Sequence, residues 1–205
     1  MIARAAGDSG DFKEAIRAAT RGAELYQRCG DRWGVIWSRR CCASALLYDG
    51  RPQESRDVCE ESRDAFQALG DAWGAAGCVD LLAAIAVRTG EHHDARVLAA
   101  EAVDRHRLLA DTSGTRYALQ HLAEAARETG DRALARDAAT ESFALARQHG
   151  FRAGALQALL MLGDLARLDG DHVAATAAAH QAATLAGELG DTVARQRAHA
   201  ILADG

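Results

Sequence analysis

The chain has 205 residues, a formal net charge of −5 and an isoelectric point near 5.9, which argues against a nucleic-acid partner because such binding rests on basic contacts to phosphate. Hydrophobic residues make up 49% of it, enough for a substantial core. No apolar run of membrane-spanning length is read in it, and MIARAAGDSGDFKEA has no apolar stretch of signal-peptide type. Alanine dominates the apolar set and proline occurs once, at Pro52, so helix is expected throughout. Cys29, Cys41, Cys42, Cys59 and Cys78 lack metal-type spacing, and a reducing cytoplasm is the expected location.

Taken in order, the chain is punctuated every 20 residues. Glycine recurs at Gly10, Gly50, Gly90, Gly130 and Gly170, followed by Asp11, Arg51, Glu91, Asp131 and Asp171. A second series falls at Gly30, Gly70, Gly150 and Gly190, with Ala110 in the one missing slot, followed by Asp31, Asp71, Phe151, Asp191 and, after Ala110, Asp111. Glycine past a helix end can take the left-handed conformation, and aspartate can cap the next helix. Asp11 and Glu14 have capping-box spacing, and Pro52 suits a first turn. The period therefore predicts an all-α solenoid of antiparallel helical hairpins, about five repeats in one domain over residues 1–205. Residues 1–8 read as the end of a first helix and 11–29 as a second helix. Hairpins follow at 31–69, 71–109, 111–149 and 151–189, and 191–203 forms a last first helix. Segments 1–8 and 191–203 are expected to leave apolar edges, the latter through Val193, Ile201 and Leu202, open to a second copy or to more of the same array.

The copies share a packing code. First helices carry Cys42, Leu82, Leu122, Leu162 and Leu202 in register, each followed by a small residue. Second helices carry Ala15, Ser55, Ala95, Ala135 and Ala175, then Gly22, Ser62, Ala102, Ser142 and Ala182 seven positions on. Leu69, Leu109 and Leu189 near the second-helix ends are expected in the seam.

The segments GDFKEAIRAATRGAEL, GRPQESRDVCEESRDAFQALGDAWG and GDRALARDAATESFALARQHG resemble the tetratricopeptide repeat in an extended 40-residue form. They look like the C-terminal arrays of bacterial signal-transduction ATPases (STAND type) and of maltose-regulator-like and antibiotic-regulator-like transcription activators. The resemblance covers essentially the whole chain and implies a right-handed superhelix. The family's mid-helix aromatic is replaced by Leu46, Ala86, Ala126 and Ala166, and Trp33 and Trp73 are read as wedges between successive hairpins.

Chemistry-bearing motifs are sparse. His121 and Glu124 share a helical face, His92 and His93 are adjacent, and so are Cys41 and Cys42, but none belongs to a complete ligand or catalytic set. Cys42 and Cys59 read as small buried hydrophobes. No catalytic residue, metal or cofactor is assigned. The resemblance implies that first helices line a concave groove where ligands dock. By register the groove carries Trp37, Arg40, Ser44 and Tyr48, then Asp80, Ala84 and Arg88. Tyr117, Gln120, Glu124 and Arg127 follow, then Gln157, Leu160, Asp164 and Arg167, with Arg197 last. Aromatic and arginine residues of this kind anchor partners. The expected function is a protein-interaction scaffold, the sensing or regulatory part of a bacterial regulator, docking a peptide or a neighbouring domain of the same polypeptide. A small-molecule effector receptor using the same groove is the alternative, an enzyme the least favoured reading, and neither nucleic acid nor membrane is an expected partner.

Overall fold

The computed structural model describes residues 11–203; the predicted segment at 1–8 lies outside the described residues. Ten helices and no strand occur among the described residues: α1 Phe12–Arg28, α2 Arg32–Tyr48, α3 Pro52–Ala68, α4 Ala72–Thr89, α5 His92–Leu108, α6 Thr112–Glu128, α7 Arg132–Gln148, α8 Arg152–Leu168, α9 His172–Leu189 and α10 Thr192–Ala203. The chain divides into two compact units, Met1–Leu109 and Ala110–Gly205.

The turns follow from their residues. Asp11, Asp31, Asp71, Asp111, Asp131, Asp171 and Asp191 each accept a hydrogen bond from the amide three residues on, at 2.9–3.1 Å. After α1, the Asp31 amide donates to the Tyr26 carbonyl at 2.9 Å, closing the helix end around Gly30, whose φ is 73°. Ala110 adopts φ 52° in the slot that lacks glycine, the one non-glycine with positive φ among the described residues.

In the first unit each of α1 to α4 packs on the next helix along the chain, and α2 also touches α4. In the second, each of α6 to α9 does the same, while α6 touches α8 and α8 touches α10. Second helices of successive hairpins make no such contact within either unit. First helices therefore lie on the inner side of each unit. The crossings are close because the second-helix positions are small: Ala15, Ser55, Ala95, Ala135 and Ala175 are all buried, as are Ser62, Ala102, Ser142 and Ala182. The buried hydroxyls are satisfied, with Ser55 donating to the Ala43 carbonyl at 2.6 Å and Ser62 to that of Val58 at 2.7 Å.

Several expectations need correction. Leu69, Leu109 and Leu189 are exposed, because they stand at or beside the helix caps where the last turn leaves the seam. The buried seam position lies three residues earlier, at Phe66, His106, Ala146 and Ala186. Ile201 is buried against Gly163 rather than at an open edge, while Val193 is exposed. α4 does have the length and apolar composition of a membrane-crossing helix, with a mean hydropathy of 1.3 over 18 residues. It carries Asp80 and Arg88, and 72% of that stretch is buried against the rest of the protein, so its apolarity serves the core.

Candidate docking groove

In the first unit the groove residues fall into two clusters on α2. At its start, the Trp37 ring lies between those of Trp33, 5.5 Å away, and Trp73, 5.3 Å away, both stacked. The Trp33 indole donates to Asp71 at 2.6 Å, and the Arg40 guanidinium lies 5.3 Å from the Trp37 ring while donating to the Gly77 carbonyl at 2.9 Å. Trp33 and Trp73 stay 43% and 44% exposed, so the ring stack that links α2 to α4 lies at the surface. At the end of α2, Tyr48 stacks on Phe12 at 5.5 Å and receives the Arg88 guanidinium at 5.2 Å. Asp80 sits half-buried on α4. Ala84 is buried in the core instead of the groove.

In the second unit the geometry converges. Gln120, Glu124 and Arg127 follow one another at i, i+4 and i+7 on α6, so they share a face. With Gln157 of α8 and Arg197 of α10 they surround a cavity of about 260 Å³. Its floor is Ala139 and Ser142 of α7 with Ala123, Ala158 and Met161. The small side chains at Ala139 and Ser142 leave the space. Asp164, itself outside the lining, ties the arginines down: Arg197 pairs with it closely and Arg127 lies 3.8 Å from it while pairing with Glu128 at 2.5 Å. Gln120, Glu124 and Gln157 are half-buried and make no hydrogen bond or ion pair with any described residue. Leu160, placed in the groove by register, is buried beneath it, and Arg167 stands half-buried three residues beyond Asp164.

Tyr117 is engaged differently. Its ring lies 3.7 Å from the guanidinium carbon of Arg116, which is itself only 3% exposed and also lies 5.4 Å from the Phe151 ring. The sequence alone does not single out Arg116, since a charged residue in a helix reads as solvated. Its signal is a comparison of registers. Tyr26 and Phe66 fill the space beside Gly34 and Gly74, whereas the matching residue beside Gly154 is Ala146, and Arg116 fills that space instead.

The remaining sequence candidates do not assemble into chemistry. Among the described residues no group of three His, Cys, Asp or Glu side chains could hold a metal. Cys59 and Cys78 are buried together, with the Cys59 thiol donating to the Cys78 carbonyl at 3.4 Å. A hydrogen bond with Cys78 and then burial push the Cys59 thiol far above its ordinary range. Cys42 is half-buried rather than fully buried, and desolvation raises its pKa.

No protein-family model and no curated protein matches the sequence. The structure is similar to that of a Rap protein complexed with competence and sporulation factor, with a TM-score of 0.86 at 16% identity over 96% of this chain and 55% of that one. It is also similar to a signal-transduction ATPase with numerous domains and a tetratricopeptide repeat sensor from Pyrococcus horikoshii, with a TM-score of 0.80 at 13% identity over 98% of this chain and 31% of that one. BtubC (BKLC) from P. vanneervenii superposes with a TM-score of 0.75 at 15% identity, over 94% of this chain and 85% of that one. The chain thus spans about half the length of the Rap protein and about a third of the ATPase. Its fold is that of a tetratricopeptide-type array of helical hairpins.

Proposed function

We propose that this chain is a protein-interaction module, the sensing part of a cytoplasmic bacterial regulator. Its α6–α8–α10 groove docks an extended peptide segment, or a neighbouring domain, that presents a cationic group to Glu124. The observation that carries this reading is the set Gln120, Glu124 and Gln157 around one cavity, none of them engaged by another described residue. Half-buried polar groups without internal partners gain most from a ligand that supplies them. Each carboxamide offers both donors and an acceptor, matching a peptide backbone, whereas a carboxylate only accepts and selects a donor, best a charged one. Arg127 and Arg197 are already neutralised by Glu128 and Asp164, so an acidic partner is disfavoured. The likeness to a Rap protein complexed with a factor and to an ATPase with a repeat sensor supports a sensing role.

A small-molecule receptor is the second reading, favoured by the cavity itself. At about 260 Å³ it is below the roughly 300–1,000 Å³ of pockets for drug-sized ligands, so the occupant would be of amino-acid size. Selection from a random peptide display library tests the first reading. Enriched sequences should carry Lys or Arg at a fixed position and should lose binding to Glu124→Gln. A pool without basic enrichment would overturn it.

A further inference from the structure

We infer that the start of α8 is a binding site for a small oxyanion of the phosphate class, held by the amides of Ala153 and Gly154 and by the guanidinium of Arg116. Three helices with described caps lack a side-chain cap: α3, α5 and α8. α3 carries Glu54 in its first turn and α5 carries Asp94, but α8 has no acidic residue there, and Phe151 stands where the other copies have aspartate, arginine or glutamate. The Arg152 amide donates to the Gly150 carbonyl and that of Ala155 to the Phe151 carbonyl, both at 2.9 Å. The amides of Ala153 and Gly154 have no acceptor among the described residues. A helix amino terminus with free amides favours an anion.

The second observation is Arg116. Its Nε and Nη1 are buried without a hydrogen-bond partner, and it makes no ion pair with a described residue. It lies directly on the helix start: a Cβ built on Gly154 would meet Nη1 at 2.6 Å and Cζ at 2.9 Å. Filling the space opposite Ala146 explains a large side chain at this point. It does not explain a charge, because the matching positions Ile36, Ala76 and Leu156 are apolar and a buried cation without a counter-charge is costly. The neighbouring charges do not supply one. Glu188 is paired with Arg152, Arg147 lies over the Phe143 ring, and His149 stacks on Phe151. Two adjacent amides without acceptors thus lie beside a forked guanidinium, a donor set that suits a tetrahedral anion. The Phe151 ring, half-buried at the cap itself, lies 5.4 Å from the Arg116 guanidinium.

Thermal unfolding tests this at fixed ionic strength, replacing chloride by inorganic phosphate in one series and by O-phosphoserine in another. The unfolding temperature should rise saturably; tighter phosphoserine binding identifies a phosphoryl group on a larger molecule as the source, tighter phosphate binding a free anion. Phe151→Asp installs the internal carboxylate found in the other copies, and should abolish the response while raising the unfolding temperature in chloride. Arg116→Met should weaken binding by at least about tenfold, the loss of one charge-assisted contact. A response no greater than in chloride, or an unchanged response in Phe151→Asp, overturns the inference.

Discussion

Replacing Gly74 with alanine tests the packing that holds the first unit together. Gly74 lies in the first turn of α4, where a Cβ would meet three carbons of the Phe66 ring at 2.5, 2.6 and 2.7 Å. Favourable carbon contacts begin at about 3.5 Å, so the ring or the helix must move by about 1 Å. Phe66 is fully buried and meets Trp33 edge-on at 6.3 Å, which leaves the ring little room. Overpacking of this kind costs about 1–3 kcal/mol, and the better helix propensity of alanine returns at most about 1 kcal/mol. Central values of about 2 and about 1 kcal/mol leave an expected net loss of about 1 kcal/mol, a fall in Tm of about 2–4 °C for a chain of this size. Circular dichroism during heating measures it. Phe66→Ala removes all three ring carbons that clash, so the double variant should lose at least about 0.5 kcal/mol less than the sum of the single ones. Unchanged stability in Gly74→Ala, or strict additivity in the double variant, would refute the reasoning.

Other expectations follow from the backbone and the thiols. Ala110→Gly relieves a left-handed alanine at φ 52° and should raise stability by about 0.5–1 kcal/mol, the relief of about 1–2 kcal/mol less the greater freedom of unfolded glycine; a lower denaturant midpoint would contradict it. Cys42 and Cys59 have folded pKa values above the ordinary 9.0, Cys42 from desolvation and Cys59 from the Cys78 hydrogen bond and burial. The unfolded chain therefore releases protons that the folded one keeps, so their contribution is complete below about pH 9 and is lost as pH rises above it. Denaturant midpoints should hold from pH 7 to 8 and fall towards pH 10, less so in Cys59→Ala, which installs the residue found there in other copies. Thiol labelling of the native protein should modify exposed Cys29 and leave buried Cys59 and Cys78 until unfolding.

The punctuation was readable in the sequence because caps and left-handed turns act through single residues: aspartate at seven caps and glycine at the turns do locally what their chemistry dictates. The packing positions were readable where small residues had to be small, as at Ser55 and Ala95. Leu69 and Leu189 misled because register gives a shared environment without saying where the helix ends, and both stand at or beside the caps, where the last turn leaves the seam. Arg116 escaped notice because its burial depends on Ala146, a residue on another helix. Among the groove residues, Gln120, Glu124, Arg127 and Gln157 meet around one cavity, whereas Trp37 and Tyr48 are bound up in ring stacks at opposite ends of α2. Distance along the groove depends on helix placement, which periodicity does not supply.

In the proposed docking, Glu124 anchors a cationic group of the partner. Isothermal titration of one selected basic peptide against the wild-type chain and Glu124→Gln tests it most directly, with helix content compared in parallel. Glu124→Gln should bind at least about tenfold more weakly at unchanged helix content, the loss of a charge-assisted hydrogen bond. Equal affinity for the two proteins would contradict it.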